Sequence, residues 1–427
     1  MPRFKTLDAW LAWQEKLHPK KIDPGLERVN RVYNRLAAKR PAACVITIAG
    51  TNGKGSSVAL MESICHAQGL TTGSYTSPHL LRYNERIRIN GIEQPDEVIC
   101  DAFAEIDMAR HDETLSYFEF GTLAALTVFN NFSLDVVFLE VGLGGRLDAV
   151  NIIDPDIALV TSISLDHTEW LGDNLESIGR EKAGIFRAGC PAICADVDPP
   201  ASLQSVAQTV KAHWLSLNKH FFIESDSDGW SWIGPHNQLR NLPMPALVGS
   251  HQLQNAAGVL MALTCLPGDM GISRQAIEDG LREVSLAARV QYLSGRIDLL
   301  LDVSHNEQSA QALAAYLEAR RTSGKTRVVI GMLVDKDSQG FAAALKAQID
   351  GWYCVGLSCE RAKPVAELYE DILQVAAGTP CVSCDTMAAA CDRLQKDMEA
   401  GDRLVVCGSF HTVSEWLEQD LKDFQKL

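Results

Sequence analysis

The sequence predicts an α/β protein of two domains, and three observations carry that expectation. A β-branched run, Val45–Ala49, enters a Gly-rich turn formed by Gly50, Thr51, Asn52, Gly53, Lys54, Gly55 and Ser56, and a helical pattern follows from about 57 to 66. From about residue 294 short apolar strands alternate with helical stretches, the pattern of a parallel sheet covered on both faces. At 427 residues the chain is too long for one ordinary core. We therefore expect a phosphate-binding P-loop domain over 1–290 and a smaller α/β domain over 291–427.

The elements follow in order. Residues 7–18 and 25–39 pattern as amphipathic helices, separated by a turn at 22–25. The Gly-rich turn comes next. Its glycines let successive N–H groups point inward, the helix N-terminus adds positive potential, and a Lys there reaches phosphate oxygens. The spacing departs from the common P-loop pattern, because Ile48 stands where Gly is usual and Gly55 intervenes before Ser56. Gly69 suits a helix C-cap. Residues 75–91 read as a polar, Arg-rich loop dense in side chains capable of function. Helical patterns cover about 96–110 and 119–131.

The strand from Asp135 ends on Glu140, and a carboxylate at that place commonly holds Mg²⁺ beside a phosphate loop. Gly142, Gly144 and Gly145 follow, but the third is misplaced for a dinucleotide fingerprint. A strand over 157–163 leads to Asp166 and His167, and the next helix carries Lys182. Residues 196–246 weaken into short polar segments, read as a small β-rich insertion. Helices are expected at about 251–263 and 273–284. In the second domain strands fall at 297–302, 327–332, 352–355 and 403–407, with helices at 306–321, 338–348, 386–399 and from 412.

Composition narrows the class. A net charge of −15 argues against a nucleic-acid surface. No apolar run approaches the roughly 20 residues that span a bilayer, and no signal peptide stands at the N-terminus. Twelve cysteines without regular spacing fit reduced thiols in the cytoplasm. Cys381 and Cys384 make one CxxC, but no second pair accompanies it.

Several motifs occur in one order: Gly50–Ser56, Thr76–His79, Glu140–Asp148, Leu165–His167, Glu181–Ile185, Asp302–Asn306 and Gly408–Phe410. Together they resemble the folylpolyglutamate synthase/dihydrofolate synthase family of the Mur-ligase superfamily, over essentially the whole chain. The resemblance implies a Mur-ligase-type central ATPase domain, a Rossmann-like C-terminal domain, and ligation of L-glutamate to dihydropteroate and to reduced folates through an acyl phosphate. It implies that Thr51, Asn52, Gly53, Lys54, Gly55 and Ser56 hold ATP together with Asn255, Arg289 and Asp302. Two Mg²⁺ ions would sit among Ser77, Glu140, His167 and Lys182. An ordinary ammonium has no lone pair to offer a metal, and the resemblance implies that Lys182 is carbamylated, which makes it an oxygen ligand. Lys54, His167, Lys182 and His305 would be catalytic. Arg86, Ser116, Phe118, Asp148, His305 and Ser409 would contact the substrates, the pterin falling on Ser116, Phe118 and Asp148.

The resemblance further implies a monomer, with closure of the two domains accompanying catalysis. Departures are local: Ala287-Ala288-Arg289 replaces a frequent Pro-Gly-Arg, and Pro24 stands where Leu is common. The alternatives are polyglutamylation alone, a Mur ligase acting on a UDP-sugar peptide, or a nucleotide-driven switch. The Ser77-Pro78-His79 loop speaks against the second. The Glu140, His167 and Lys182 set speaks against the third.

Overall fold

The structure is a computed structural model that describes residues 2–20, 22–36, 39–226 and 229–419. The chain divides into two compact units, one of residues Met1–Ala246 and Gln252–Ser285, the other of Leu247–His251 and Leu286–Leu427.

The first unit opens with helices α1 (Leu7–Leu17) and α2 (Glu27–Arg35), then strand β1 (Cys44–Ala49) and helix α3 (Lys54–Gln68). β1 is buried at every position, as its β-branched sequence requires. Strands β2 (Thr72–Tyr75), β3 (Ile87–Ile89) and β4 (Ile92–Glu93) precede helices α4 (Asp96–Arg110) and α5 (Tyr117–Phe129). Then come β5 (Val136–Glu140), β6 (Ile157–Val160), α6 (Thr168–Leu171), α7 (Leu175–Lys182), β7 (Pro191–Cys194), α8 (Ala201–Val210) and β8 (His213–Ser216). These strands form one sheet ordered β4-β3-β2-β5-β1-β6-β7-β8, parallel except for β3 and β4. Ile48 lies opposite Glu140, so the carboxylate emerges beside the turn that follows β1.

On one side α1, α4 and α5 share an aromatic cluster of Phe4, Trp10, Trp13, Phe103 and Phe120. Strands β9 (Phe222–Asp226), β10 (Gly229–Ile233) and β11 (Gln238–Leu242) make a separate antiparallel sheet. Helices α9 (His251–Leu263) and α10 (Arg274–Glu283) complete the unit, and α10 packs on α3 at Gly280, where a Cβ would stand 2.6 Å from the Ile64 Cα.

Three sequence expectations need correction. Helix α3 begins at Lys54 rather than near 57, because Gly53 turns the chain in left-handed geometry (φ 89°) just before it. The stretch 75–91 is only partly loop, since Ile87–Ile89 pair with β2. The expected β-rich insertion is β-rich only over 222–242. Its first part, α8 and β8, continues the central sheet, hidden in sequence by the polar face of α8.

The second unit contains β12 (Gln291–Leu293), β13 (Asp298–Leu301), α11 (Glu307–Ala319), β14 (Thr326–Ile330), α12 (Ser338–Leu345), β15 (Gly351–Val355), α13 (Val365–Val375), β16 (Cys381–Cys384), α14 (Met387–Asp397), β17 (Arg403–Cys407) and α15 (Phe410–Leu417). Its sheet runs β12-β13-β17-β14-β15-β16, parallel except for β12. The sequence reading passed over α13 and β16. The CxxC lies in that edge strand, with the Cys381 thiol 3.8 Å from that of Cys354, and all twelve cysteines are free thiols.

Candidate active site

The turn after β1 is closed by its neighbours from β6. Thr51 N–H donates to the Ser162 carbonyl (2.6 Å), and Thr161 Oγ1 donates to the Asn52 carbonyl (2.6 Å). Gly50 is required here, since a Cβ would collide with the Thr161 hydroxyl. Lys54 Nζ donates to the carbonyls of Gly50 (3.0 Å) and Thr51 (3.1 Å). Asn255, on α9, lies against Gly53 and donates to Gln252 Oε1 (3.0 Å). Gln252 Nε2 in turn reaches Ser56 Oγ at 3.4 Å. The expected phosphate residues therefore form one ring around the start of α3, where the helix dipole favours an anion.

The loops after β2, β5 and β6 converge on the same sheet edge. Ser77 N–H donates to Glu140 Oε2 (3.0 Å), which ties the Ser77-Pro78 segment to the end of β5. His167 holds left-handed geometry (φ 51°) at the start of α6, and its N–H donates to Asp166 Oδ1 (2.9 Å). Lys182 is buried, and its Nζ donates to the Gly50 carbonyl (2.9 Å), the oxygen that Lys54 also uses. Burial, and then the Lys54 ammonium, push the Lys182 amine down to about 7, against the pull of Asp166 and Asp148. Among the described residues no three His, Cys, Asp or Glu groups gather closely enough to hold an ion between them. Mg²⁺ characteristically takes only one or two protein carboxylates, with phosphate oxygens and water completing its shell. A strand-end Glu140 beside Ser77 and the phosphate loop fits that chemistry.

A second group of residues comes from α5 and the Gly-rich loop after β5. Ser116 caps α5, its Oγ accepting Glu119 N–H (3.3 Å). Phe118 lies flat against Gly142, where a Cβ would stand 2.6 Å from the ring, and 5.7 Å from the Tyr75 ring centre. The Asp148 carboxylate accepts N–H bonds from Gly142 (3.0 Å), Leu143 (2.8 Å) and Val150 (3.0 Å). Burial nevertheless pushes its carboxyl up to about 6. Arg86 is buried. Its Nε donates to His79 Nδ1 (2.8 Å), and its guanidinium lies 5.4 and 5.6 Å from the Tyr83 and Tyr117 ring centres. No carboxylate pairs with it among the described residues, so the site offers a cation to an incoming anion.

In the second unit the expected residues gather at the carboxyl ends of β13 and β17, where open α/β sheets commonly bind ligands. Asp302 accepts from Val290 N–H (2.7 Å), Ser304 N–H (2.9 Å) and Ser304 Oγ. His305 Nδ1 stands 2.9 Å from the Val303 carbonyl, which can only accept, so this nitrogen carries the proton. Arg289 stacks over Phe410 (5.0 Å), and Ser409 caps α15 through Thr412 N–H (3.0 Å). Ala288 and Val290, on either side of Arg289, both have positive φ (55° and 49°).

Sequence reasoning missed Thr161, Ser162, Gln252, Tyr117 and Phe410. Only Phe410, inside the Gly408–Phe410 motif, carried a local signal.

Residues 48–263 match the Mur ligase middle domain, and residues 288–410 the glutamate ligase domain of Mur ligases. The dihydrofolate synthase/folylpolyglutamate synthase of Escherichia coli strain K12 is 44% identical over 412 residues, 96% of this chain and 95% of that protein. The Haemophilus influenzae protein of the same name is 40% identical over 96% of both chains. Among solved structures, E. coli FolC in complex with DHPP and ADP has a TM-score of 0.92 at 44% identity, covering 99% of each chain. A bifunctional folylpolyglutamate synthase/dihydrofolate synthase with Mn, AMPPNP and L-glutamate bound has a TM-score of 0.89 at 43% identity, covering 97% of this chain and 98% of that one. The chain thus belongs to the dihydrofolate synthase/folylpolyglutamate synthase family of Mur ligases.

Proposed function

We propose that this chain is an ATP-dependent ligase that joins L-glutamate to dihydropteroate, forming dihydrofolate, and to the γ-carboxyl of reduced folates. The observation that carries the reading is the loop after β5. It begins at Glu140, beside the phosphate turn, and ends at Asp148, beside Phe118. One short loop thereby joins phosphoryl chemistry to an aromatic ring and a carboxylate that can meet pterin N–H donors.

A carboxylate is a poor electrophile, so the acceptor's carboxyl first takes the γ-phosphoryl of ATP. The glutamate amine then attacks the acyl phosphate, and phosphate leaves. In this reading Lys54 and the N–H groups of 50–56 hold the phosphates, where charge develops on the transferring oxygens. Asn255, Arg289 and Asp302 hold the rest of the nucleotide, Arg86 takes an acceptor carboxylate, and His305 and Ser409 serve the incoming glutamate. The Ser116 hydroxyl accepts in its helix cap and keeps its proton to donate, and Ser409 Oγ likewise accepts in the cap of α15. We assign nucleotide binding to residues 1–290 together with Asp302, and glutamate ligation to 291–427.

Two divalent ions would be held by Ser77, Glu140, His167 and Lys182, and would neutralise the phosphoryl charge. A buried amine lowered to about 7 is half unprotonated at neutral pH. The neutral amine is the form that adds CO₂, and this supports carbamylation of Lys182. Lys182→Arg should lose activity; full activity in that variant would remove the carbamate from the reading. The unbridged cysteines favour a reducing, cytoplasmic setting, and no helix among the described residues is long and apolar enough to cross a membrane. A monomeric mass by light scattering is expected.

The deciding experiment is phosphate release with Mg-ATP and L-glutamate, using dihydropteroate or tetrahydrofolate as acceptor. Release with both supports the bifunctional reading. Release with tetrahydrofolate alone reduces it to polyglutamylation, and release with neither from protein that binds ATP refutes the substrate.

A further inference from the structure

Arg28 stands at the start of α2 and joins two segments distant in sequence. Its Nε donates to both oxygens of Glu119 at 2.9 Å, its Nη1 to Asp23 Oδ2, and its Nη2 to the Asp23 carbonyl at 2.6 Å. Glu119 is the residue whose carboxylate accepts Ser116 N–H at 2.7 Å, closing the cap of α5. The Asp23 end is held in turn by His18, whose Nε2 lies 3.1 Å from Asp23 Oδ2 and whose Nδ1 lies 2.8 Å from Thr114 Oγ1. Helix α2 packs against α5 and against the turn at 149–152. It therefore touches both the helix that carries Phe118 and the turn that Asp148 caps.

The pair is enclosed: the Glu119 side chain is 5% exposed and that of Arg28 17%. A planar guanidinium can hold a carboxylate along one edge and a second acceptor along another; an ammonium cannot span both. The segment at 23–26 and the first turn of α5 are consequently set by one side chain.

We propose that Arg28 is a positioning residue for the pterin end of the acceptor, a bridge that fixes the first turn of α5 and with it where Phe118 stands against Gly142. The inference rests on the dihydropteroate reading above.

The test uses the full chain carrying Arg28→Met, Arg28→Lys or Glu119→Gln. Binding of dihydropteroate and of ATP is measured by calorimetry, KM and kcat by phosphate release, and melting by fluorimetry. The expected result for Arg28→Met is a Kd and KM for dihydropteroate raised about tenfold or more, with the Kd for ATP changed less than about twofold. Arg28→Lys keeps a positive charge on Glu119 and so should recover the melting temperature, yet leave dihydropteroate binding weak. That split separates positioning from a plain structural ion pair. It also decides the matter should Arg28→Met fail to fold. Dihydropteroate binding by Arg28→Met within about twofold of wild type, or full recovery of binding in Arg28→Lys, would overturn the proposal alone. A wild-type protein that does not bind dihydropteroate would sink the functional reading and this inference with it.

Discussion

Replacing Gly53 with alanine should loosen the first unit and disable the phosphate loop together. Gly53 holds φ 89°, and a residue with a Cβ in that left-handed region loses about 1–2 kcal/mol. The added methyl would also press on the Asn255 amide, standing 3.0 Å from its Cγ and Nδ2 and closer still to Oδ1. Asn255 cannot retreat freely, because it is buried and tied through Gln252 to Ser56. Overpacking of this kind adds about 1–3 kcal/mol. The two effects fall on one loop and sum to roughly 2–5 kcal/mol, at the upper end of single substitutions. Part is relieved by turning Asn255 aside, and since we assign Asn255 to the nucleotide, ATP affinity should fall about tenfold, near 1.4 kcal/mol. Denaturant unfolding and calorimetry with ATP measure the two losses. Adding Asn255→Ala should return the crowding part of the stability loss without returning nucleotide binding. A Gly53→Ala protein within about 0.5 kcal/mol of wild type, binding ATP normally, would refute the reasoning.

Gly142→Ala places a methyl against the Phe118 ring. At roughly 1–3 kcal/mol of crowding, the KM for dihydropteroate should rise about 5- to 150-fold while the KM for ATP stays put. Asp148 titrates near 6, above the ordinary carboxyl value. Its folded form thus binds the proton more tightly, so its share of stability is present below about 4 and lost as the pH rises through about 6. If the ionised carboxylate meets the pterin, the dihydropteroate Kd is flat above about pH 7 and weakens as the pH falls below about 6; a flat titration down to pH 5 would remove that contact. Ala288 adopts φ 55°, a left-handed geometry that costs a residue with a Cβ, so Ala288→Gly should stabilise the second unit by up to about 1 kcal/mol, read as a raised denaturation midpoint.

The parts of the fold and site that were legible in the sequence are those with a local signature. Val45–Ala49 announces a buried strand, and Glu140 announces a carboxylate at a strand end. What stayed hidden is contact across sequence distance. Nothing near Lys182 says that its amine lies on the carbonyl of Gly50, and nothing near Arg28 points to Glu119. Asp148 offered a carboxyl for recognition, but its three backbone donors come from a loop that folds back on it, which spacing cannot show. Strand β16 was overlooked because an edge strand need not be apolar on both faces: Ser383 is exposed while Cys384 is buried. The start of α3 was misplaced because a glycine in left-handed geometry can open a helix where no polar cap is visible.

The aromatic wall of α1, α4 and α5 has a consequence for engineering. The ring cluster binds these helices to one another and Arg28 of α2 joins them through Glu119, whereas the phosphate loop is braced from β6, α7 and α9. In the proposed reading the loop after β5 runs from one part to the other, from Glu140 to Asp148. A graft of the N-terminal helices with α4 and α5 from a relative therefore has to carry that loop with it.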